Sequence, residues 1–215
     1  TRTVRIGLSV AALAALGASA IRAQTPEEPK MDRVQVGVGL TPAADSLLGA
    51  AGSSVIRAFE AALAREGMGA ITSGASARFM LAVDVQPLFE EITGTAPALV
   101  VVRARVSAVF GDTETRRAIA EFNREVRAVG RTREAAYRTL GNGLRLEGEA
   151  WEAATAEANQ RIIAFFENSC DALLQEANTM VRQDQFEEAI LHLTSVPREA
   201  RNCQPRAREA SAEVY

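Results

Sequence analysis

Few side chains in this chain of 215 residues are of the kind that carry chemistry. His192 is its single histidine, and Cys170 and Cys203 are its two cysteines. The acids that stand close together in a turn-rich setting are Asp84, Glu90 and Glu91. No GxSxG, HExxH, Walker or GxGxxG pattern frames any of them. Val36-Gly37-Val38-Gly39-Leu40 has the glycine content of a phosphate loop, but it lacks the lysine and the third glycine and sits at a strand end. Two cysteines and one histidine are too few ligands for a zinc site. A glycosidase-like pair drawn from Asp84, Glu90 and Glu91 would need an apolar pocket that brings one of them beside His192. The residues therefore point to no catalytic group, no metal and no cofactor, and to a protein that is not an enzyme.

Bulk properties narrow the partners. With 47% apolar and 24% charged residues, the chain is ordinary globular material, long enough for one core plus a helical appendage. The formal charge is −3, and the arginines are interleaved with glutamates, so there is no basic patch for nucleic acid.

At the N-terminus Arg2 and Arg5 precede an uncharged stretch from Ile6 to Ile21, followed by small residues and then TPEEPK. That order reads as a secretory signal peptide, residues 1–23, cleaved after Ala20 or Ala23. Its apolar part, about 16 residues, is short of the roughly 20 that span a bilayer, although retention as an anchor is the competing reading. No cysteine near the cleavage region supports a lipid anchor. The expected location is the periplasm or the outer membrane, with membrane attachment open.

Residues 24–32 form a polar linker, and residues 33–146 read as one α/β unit. Val34, Val36 and Val38 alternate with small or polar residues as a first strand that ends at Thr41-Pro42. Asp45 or Ser46 caps a helix through Glu66, which carries a Leu47, Leu48, Ala51, Val55, Ala58, Phe59, Ala62 and Leu63 stripe. Three strands follow. Their buried faces are Phe79 to Val85, Val100 to Phe110, and Ala118 to Ala128, with Arg124 out of pattern, and 86–98 (QPLFEEITGTAPA) is expected to be a binding loop. Gly111-Asp112 lies in a polar connection that makes the last two strands a hairpin. With Phe110 set opposite Ala118, Arg105 faces Asn123 and Arg103 faces Glu125 on the solvated side. Thr132 caps a second helix with Ala135, Ala136, Tyr137 and Leu140, and Gly141, Gly143 and Gly148 mark a loop. The expected fold class is α+β, a small, mostly antiparallel sheet with helices on one face.

Residues 149–215 are expected to be helical. Trp151, Ala154, Ala158, Ile162, Phe165 and Phe166 make a docking stripe. In CDALLQEANTMVRQDQFEEAILHLTSVP, two helical patterns flank Gln183-Asp184-Gln185, Ala177 and Ala189 are the small residues where antiparallel helices would touch, and Phe186 packs at the start of the second helix. This resembles a tetratricopeptide repeat, although the consensus glycines and early tryptophan are missing. A shift of 33 residues sets Cys170 on Cys203 and Ala177 on Ala210 as a second, incomplete copy. Cys170 and Cys203 are either bridged, as export permits, or two small buried residues at equivalent repeat positions.

The strand, helix, three-strand, helix order, the Gly130-Arg131-Thr132 entry to an alanine-rich helix and the exported context resemble the envelope domains of the LPP20 lipoproteins, the curli-secretion protein CsgG and the TolB N-terminal domain. The resemblance implies an envelope-associated, non-enzymatic interaction or assembly protein. It carries over no catalytic residue. Its partner would be another protein, held by the C-terminal helices or a sheet edge. A structural subunit of an outer-membrane secretion or surface assembly is the alternative, and the oligomeric state is left open.

Overall fold

β1 (Gln35–Leu40) places Val36 and Val38 on a fully covered face, and it lies inside the sheet rather than at its rim. The computed structural model describes residues 33–71 and 77–214, so the expected signal peptide and linker lie outside the described residues. Thr41 caps α1 (Pro42–Leu48), its hydroxyl accepting from the Ala44 N–H at 3.2 Å, with Pro42 in the first turn. The helix thus starts before Asp45, because a threonine followed by proline at the first helical position satisfies the terminus better. Gly49, at φ 49°, breaks the expected single helix. A 3-10 turn over Gly49–Ala51 leads into α2 (Gly52–Arg65), which buries Val55, Phe59, Ala62 and Leu63.

β2 (Gly69–Ile71) pairs parallel with β1. Three residues, one of them glycine, leave no alternation to read. β3 (Phe79–Ile92), β4 (Val100–Asp112) and β5 (Arg117–Gly130) form a long antiparallel meander, and β1 pairs parallel with β3 through Met80–Val83. The sheet is five-stranded and mixed, in the order β2-β1-β3-β4-β5.

Two expectations change here. Only 93–98 of the stretch 86–98 is a connection, because β3 continues to Ile92 and pairs with β4 down to Val100 across an irregularity between Pro87 and Phe89. The hairpin register also differs. Asp112 accepts the N–H groups of Glu114 (2.9 Å) and Thr115 (3.3 Å), tightening the turn and carrying the ladder to Asp112↔Arg117. A bulge then sets Phe110 opposite Ala120, so Arg105 faces Glu125 and Arg103 faces Arg127. The charges still find each other across the solvated face: Arg103 and Arg105 reach the Glu125 carboxylate at 3.2 and 3.4 Å.

α3 (Arg133–Asn142) is capped by Thr132, which accepts from the Ala135 N–H at 3.1 Å. Gly130 permits the turn into it, since a Cβ there would run into the backbone of Ala135 and Ala136. α4 (Glu149–Asn168) lays Trp151 on the sheet, with ring centroids 5.2 Å from Phe122, 5.7 Å from Phe59 and 6.3 Å from Phe110. The 143–148 connection is not a slack loop either, because Leu144 and Leu146 are buried. Arg124 reaches from β5 to the carbonyls of Arg145 and Glu147, which explains a charge on the apolar face. α5 (Cys170–Arg182), α6 (Phe186–Thr194) and α7 (Cys203–Val214) complete the chain. A single core cluster runs from Val34 to Ala207 and includes both the sheet face and these helices.

Candidate functional site

The side chains that could carry chemistry are placed apart. Asp84, on the outer face of β3, accepts the Thr41 hydroxyl at 2.6 Å and so ties β3 to the α1 cap. Glu90 and Glu91 are consecutive strand residues, opposite Val102 and Val101, and successive side chains on a strand leave by opposite faces. They cannot act as a carboxylate pair. Glu90 lies on the helix side, where the Arg133 Nε donates to its two oxygens at 2.8 and 3.1 Å and the Tyr137 hydroxyl approaches at 3.5 Å. Burial, and then the Glu90 charge, raise the Tyr137 hydroxyl above its usual pKa. This is a brace between α3 and the projecting half of β3.

His192 lies on α6, with Nε2 3.6 Å from the Glu176 carboxylate of α5. It lines a cleft of about 380 Å³ between the start of β3 and the α5–α6 pair, together with Phe79, Phe166, Leu173, Met180 and Leu191. None of Asp84, Glu90 and Glu91 lines that cleft. Arg78 stands at its mouth, its guanidinium 3.9 Å above the Phe165 ring and paired with Asp112 (3.2 Å) and Glu114. Burial pushes the Asp112 carboxyl up, but the Thr115 and Glu114 N–H groups and Arg78 outweigh it and hold the carboxyl below its ordinary value. Among the described residues no three His, Cys, Asp or Glu side chains converge as a metal site. Val36 to Leu40 is strand, not a phosphate loop.

In the helical tail, Cys170 and Cys203, which open α5 and α7, are joined by a disulfide with Cα atoms 5.4 Å apart. Ala177 and Ala189 are buried, and Ala210 is partly buried against the core. Phe186 departs from expectation: its side chain is 45% exposed, because α6 begins at that residue and turns it to solvent.

Exposed apolar surface collects elsewhere. β1 ends opposite Val83, so β3 beyond Asp84 projects with only β4 beside it. Leu88, Phe89 and Ile92 on this projecting half are exposed, Ile92 by 70%, and Val129 of β5 lies across Val101 on the same outer face as Phe89. From the sequence, Leu88, Phe89 and Ile92 fall in the expected loop 86–98, and Val129 in the last strand. The run of Pro87, Glu90, Glu91 and Gly94 masks the β alternation, and only pairing with β4 shows it.

The fold defines the class: an α+β domain built on a five-stranded mixed sheet with helices on one face. No family model matches the chain, and no curated protein matches it in sequence. Solved structures are similar at low identity. A minor lipoprotein from Acinetobacter baumannii is 12% identical, with a TM-score of 0.36 over 60% of this chain and 95% of that one. A DUF330-family protein from Xanthomonas campestris is 16% identical, with a TM-score of 0.36 over 67% and 91%. PelC from Paraburkholderia phytofirmans, a dodecamer, is 14% identical, with a TM-score of 0.31 over 52% and 86%. Likeness at this level carries no argument about function.

Proposed function

We propose that the protein is a non-enzymatic, exported interaction module of the bacterial cell envelope that binds another protein through apolar surface on the projecting end of its sheet. The observation that supports this reading is the exposed apolar surface where β3 outruns β1, with Phe89 and Val129 on the outer face and Ile92 exposed on the opposite face of the same projecting end. Exposed aromatic and aliphatic side chains grouped in this way mark contact surfaces more often than they mark chemistry. The acids that could have served a hydrolase point the other way. Glu90 is held by Arg133, Asp84 by Thr41, and neither lies near His192.

The tail offers a second contact surface, with Leu191 and Phe186 exposed on α6. The two are separable by capture from an envelope extract on immobilised protein. The Phe89→Glu and Ile92→Glu variants are expected to lose the partner while Leu191→Glu keeps it, with circular dichroism confirming that all three fold. Loss with Leu191→Glu alone transfers the site to the tail, and unchanged capture by all three variants sinks the reading.

A further inference from the structure

We infer that two copies of this chain pair edge to edge along β5, in antiparallel register about a two-fold axis at Arg124, to make one continuous ten-stranded sheet. This goes beyond the reading above, which concerns a different partner at a different place. Among the described residues the edges of β2, of β5 and of the projecting half of β3 stand open, and two of these are blunted. β2 is three residues long, and the free half of β3 carries Pro87 and a break in register. Short edges, prolines and bulges are the usual guards against strand addition. β5 has fourteen residues and no proline, its only strand neighbour among the described residues is β4, and its inward-facing Arg124 is taken up by the Arg145 and Glu147 carbonyls. Its one irregularity is at Ile119, whose carbonyl accepts from Arg161 at 2.7 Å, so the open stretch begins after that residue.

The occupant follows from the charge pattern. On the outer face β5 presents Glu121, Asn123, Glu125 and Arg127, all exposed. Glu125 is engaged by Arg103 and Arg105. Arg127 faces Arg103, a like-charge pair across the ladder, and neither Arg127 nor Glu121 has an ion-pair partner among the described residues. A strand and its own two-fold copy keep the same face up only when paired residues share parity. A dyad at Arg124 sets Glu121 against Arg127 of the second copy, twice, and Asn123 against Glu125, twice. It also sets Phe122 against Val126 on the helix side. A dyad at Asn123 opposes Glu121 to Glu125, and one at Glu125 opposes that acid to itself. A dyad at Val126 sets Arg127 against Glu125, which Arg103 and Arg105 already engage, and leaves Glu121 opposite Arg131, beyond the strand end at Gly130, where the chain packs against α3. Arg124 itself, on the axis, is turned away to the Arg145 and Glu147 carbonyls, so the two guanidinium groups do not confront each other.

Sedimentation equilibrium of the intact, disulfide-bonded chain tests this. A monomer–dimer equilibrium is expected. Glu121→Arg and Arg127→Glu should each weaken it by about tenfold or more, as two opposite-charge pairs become two like-charge pairs, and the double exchange should restore it. Under mild oxidation the Glu121→Cys/Arg127→Cys variant should give covalent dimers. Either single cysteine variant should not, because equivalent residues lie roughly 20 Å apart along the strands in this register. A monomer at every soluble concentration overturns the inference. So does a dimer indifferent to both charge exchanges, or cross-linking by the single cysteines.

Discussion

Trp151 combines a fully buried ring, in contact with Phe59, Phe110 and Phe122, with an indole N–H that has no acceptor among the described residues. The ring supplies the packing, and the N–H is a cost left unmet. Trp151→Ala is expected to destabilise the fold by about 3 to 5 kcal/mol, the usual range for an emptied aromatic site. Trp151→Phe, which removes the orphaned donor along with part of the ring, should cost far less. Urea unfolding of the two variants checks the order, and equal losses would show that the N–H finds a partner in solution. Asp112 works through charge. Its folded pKa is lowered, so its contribution to stability is complete above the unfolded value of about 3.9 and is lost as pH falls through the lower folded value. Asp112→Asn should therefore flatten the fall in melting temperature below about pH 4 while lowering stability at neutral pH. An unchanged acid profile would mean that other carboxylates set it.

Among the elements, the tail depends on its covalent link. The Cys170–Cys203 bridge spans 33 residues and fixes the start of α7 against the start of α5. On the chain-entropy model such a loop is worth roughly 3 to 4 kcal/mol. An Arg206 to Asp171 ion pair at 2.6 Å and the Asn202 N–H on the Glu167 carboxylate at 3.0 Å reinforce the same junction from the surface, where such contacts add little. The Cys170→Ser/Cys203→Ser variant should lose hydrogen-exchange protection in α5 to α7 first, with β3 to β5 holding theirs. Simultaneous loss in the meander would show that the tail and sheet open as one. The Glu90–Arg133–Tyr137 brace has the corresponding role for the projecting half of β3. Glu90→Gln should loosen exchange at Phe89 to Ile92 and leave β1 unaffected.

For the whole molecule, the boundary near residue 148 divides the chain in composition but not in packing. α4 opens the helical residues 149–215, and its docking stripe of Trp151, Ala154, Ala158 and Ile162 is buried in the same core as the sheet face. A chain ending at Glu147 should therefore fail to unfold cooperatively, which calorimetry would detect. A sharp transition in that fragment would restore the boundary. For the same reason the partner surface is better probed by single exposed residues than by deleting the tail.

The sequence alone determined the features that depend on near neighbours. Valine alternation in β1 and β4, the Thr132 cap, the α2 stripe and the small residues Ala177 and Ala189 are set by the 2-residue and 3.6-residue periods that local backbone geometry imposes. The tertiary structure decided what depends on pairing between distant segments. The length of β3, the bulge at Ile119, the separation of Glu90 from Glu91 onto opposite faces, and the placement of His192 in a cleft without an acid from β3 all follow from strand register and helix docking. A one-residue slip in register reverses every side chain on a strand, and no local pattern can hold that information where prolines, glycines and charges interrupt the alternation.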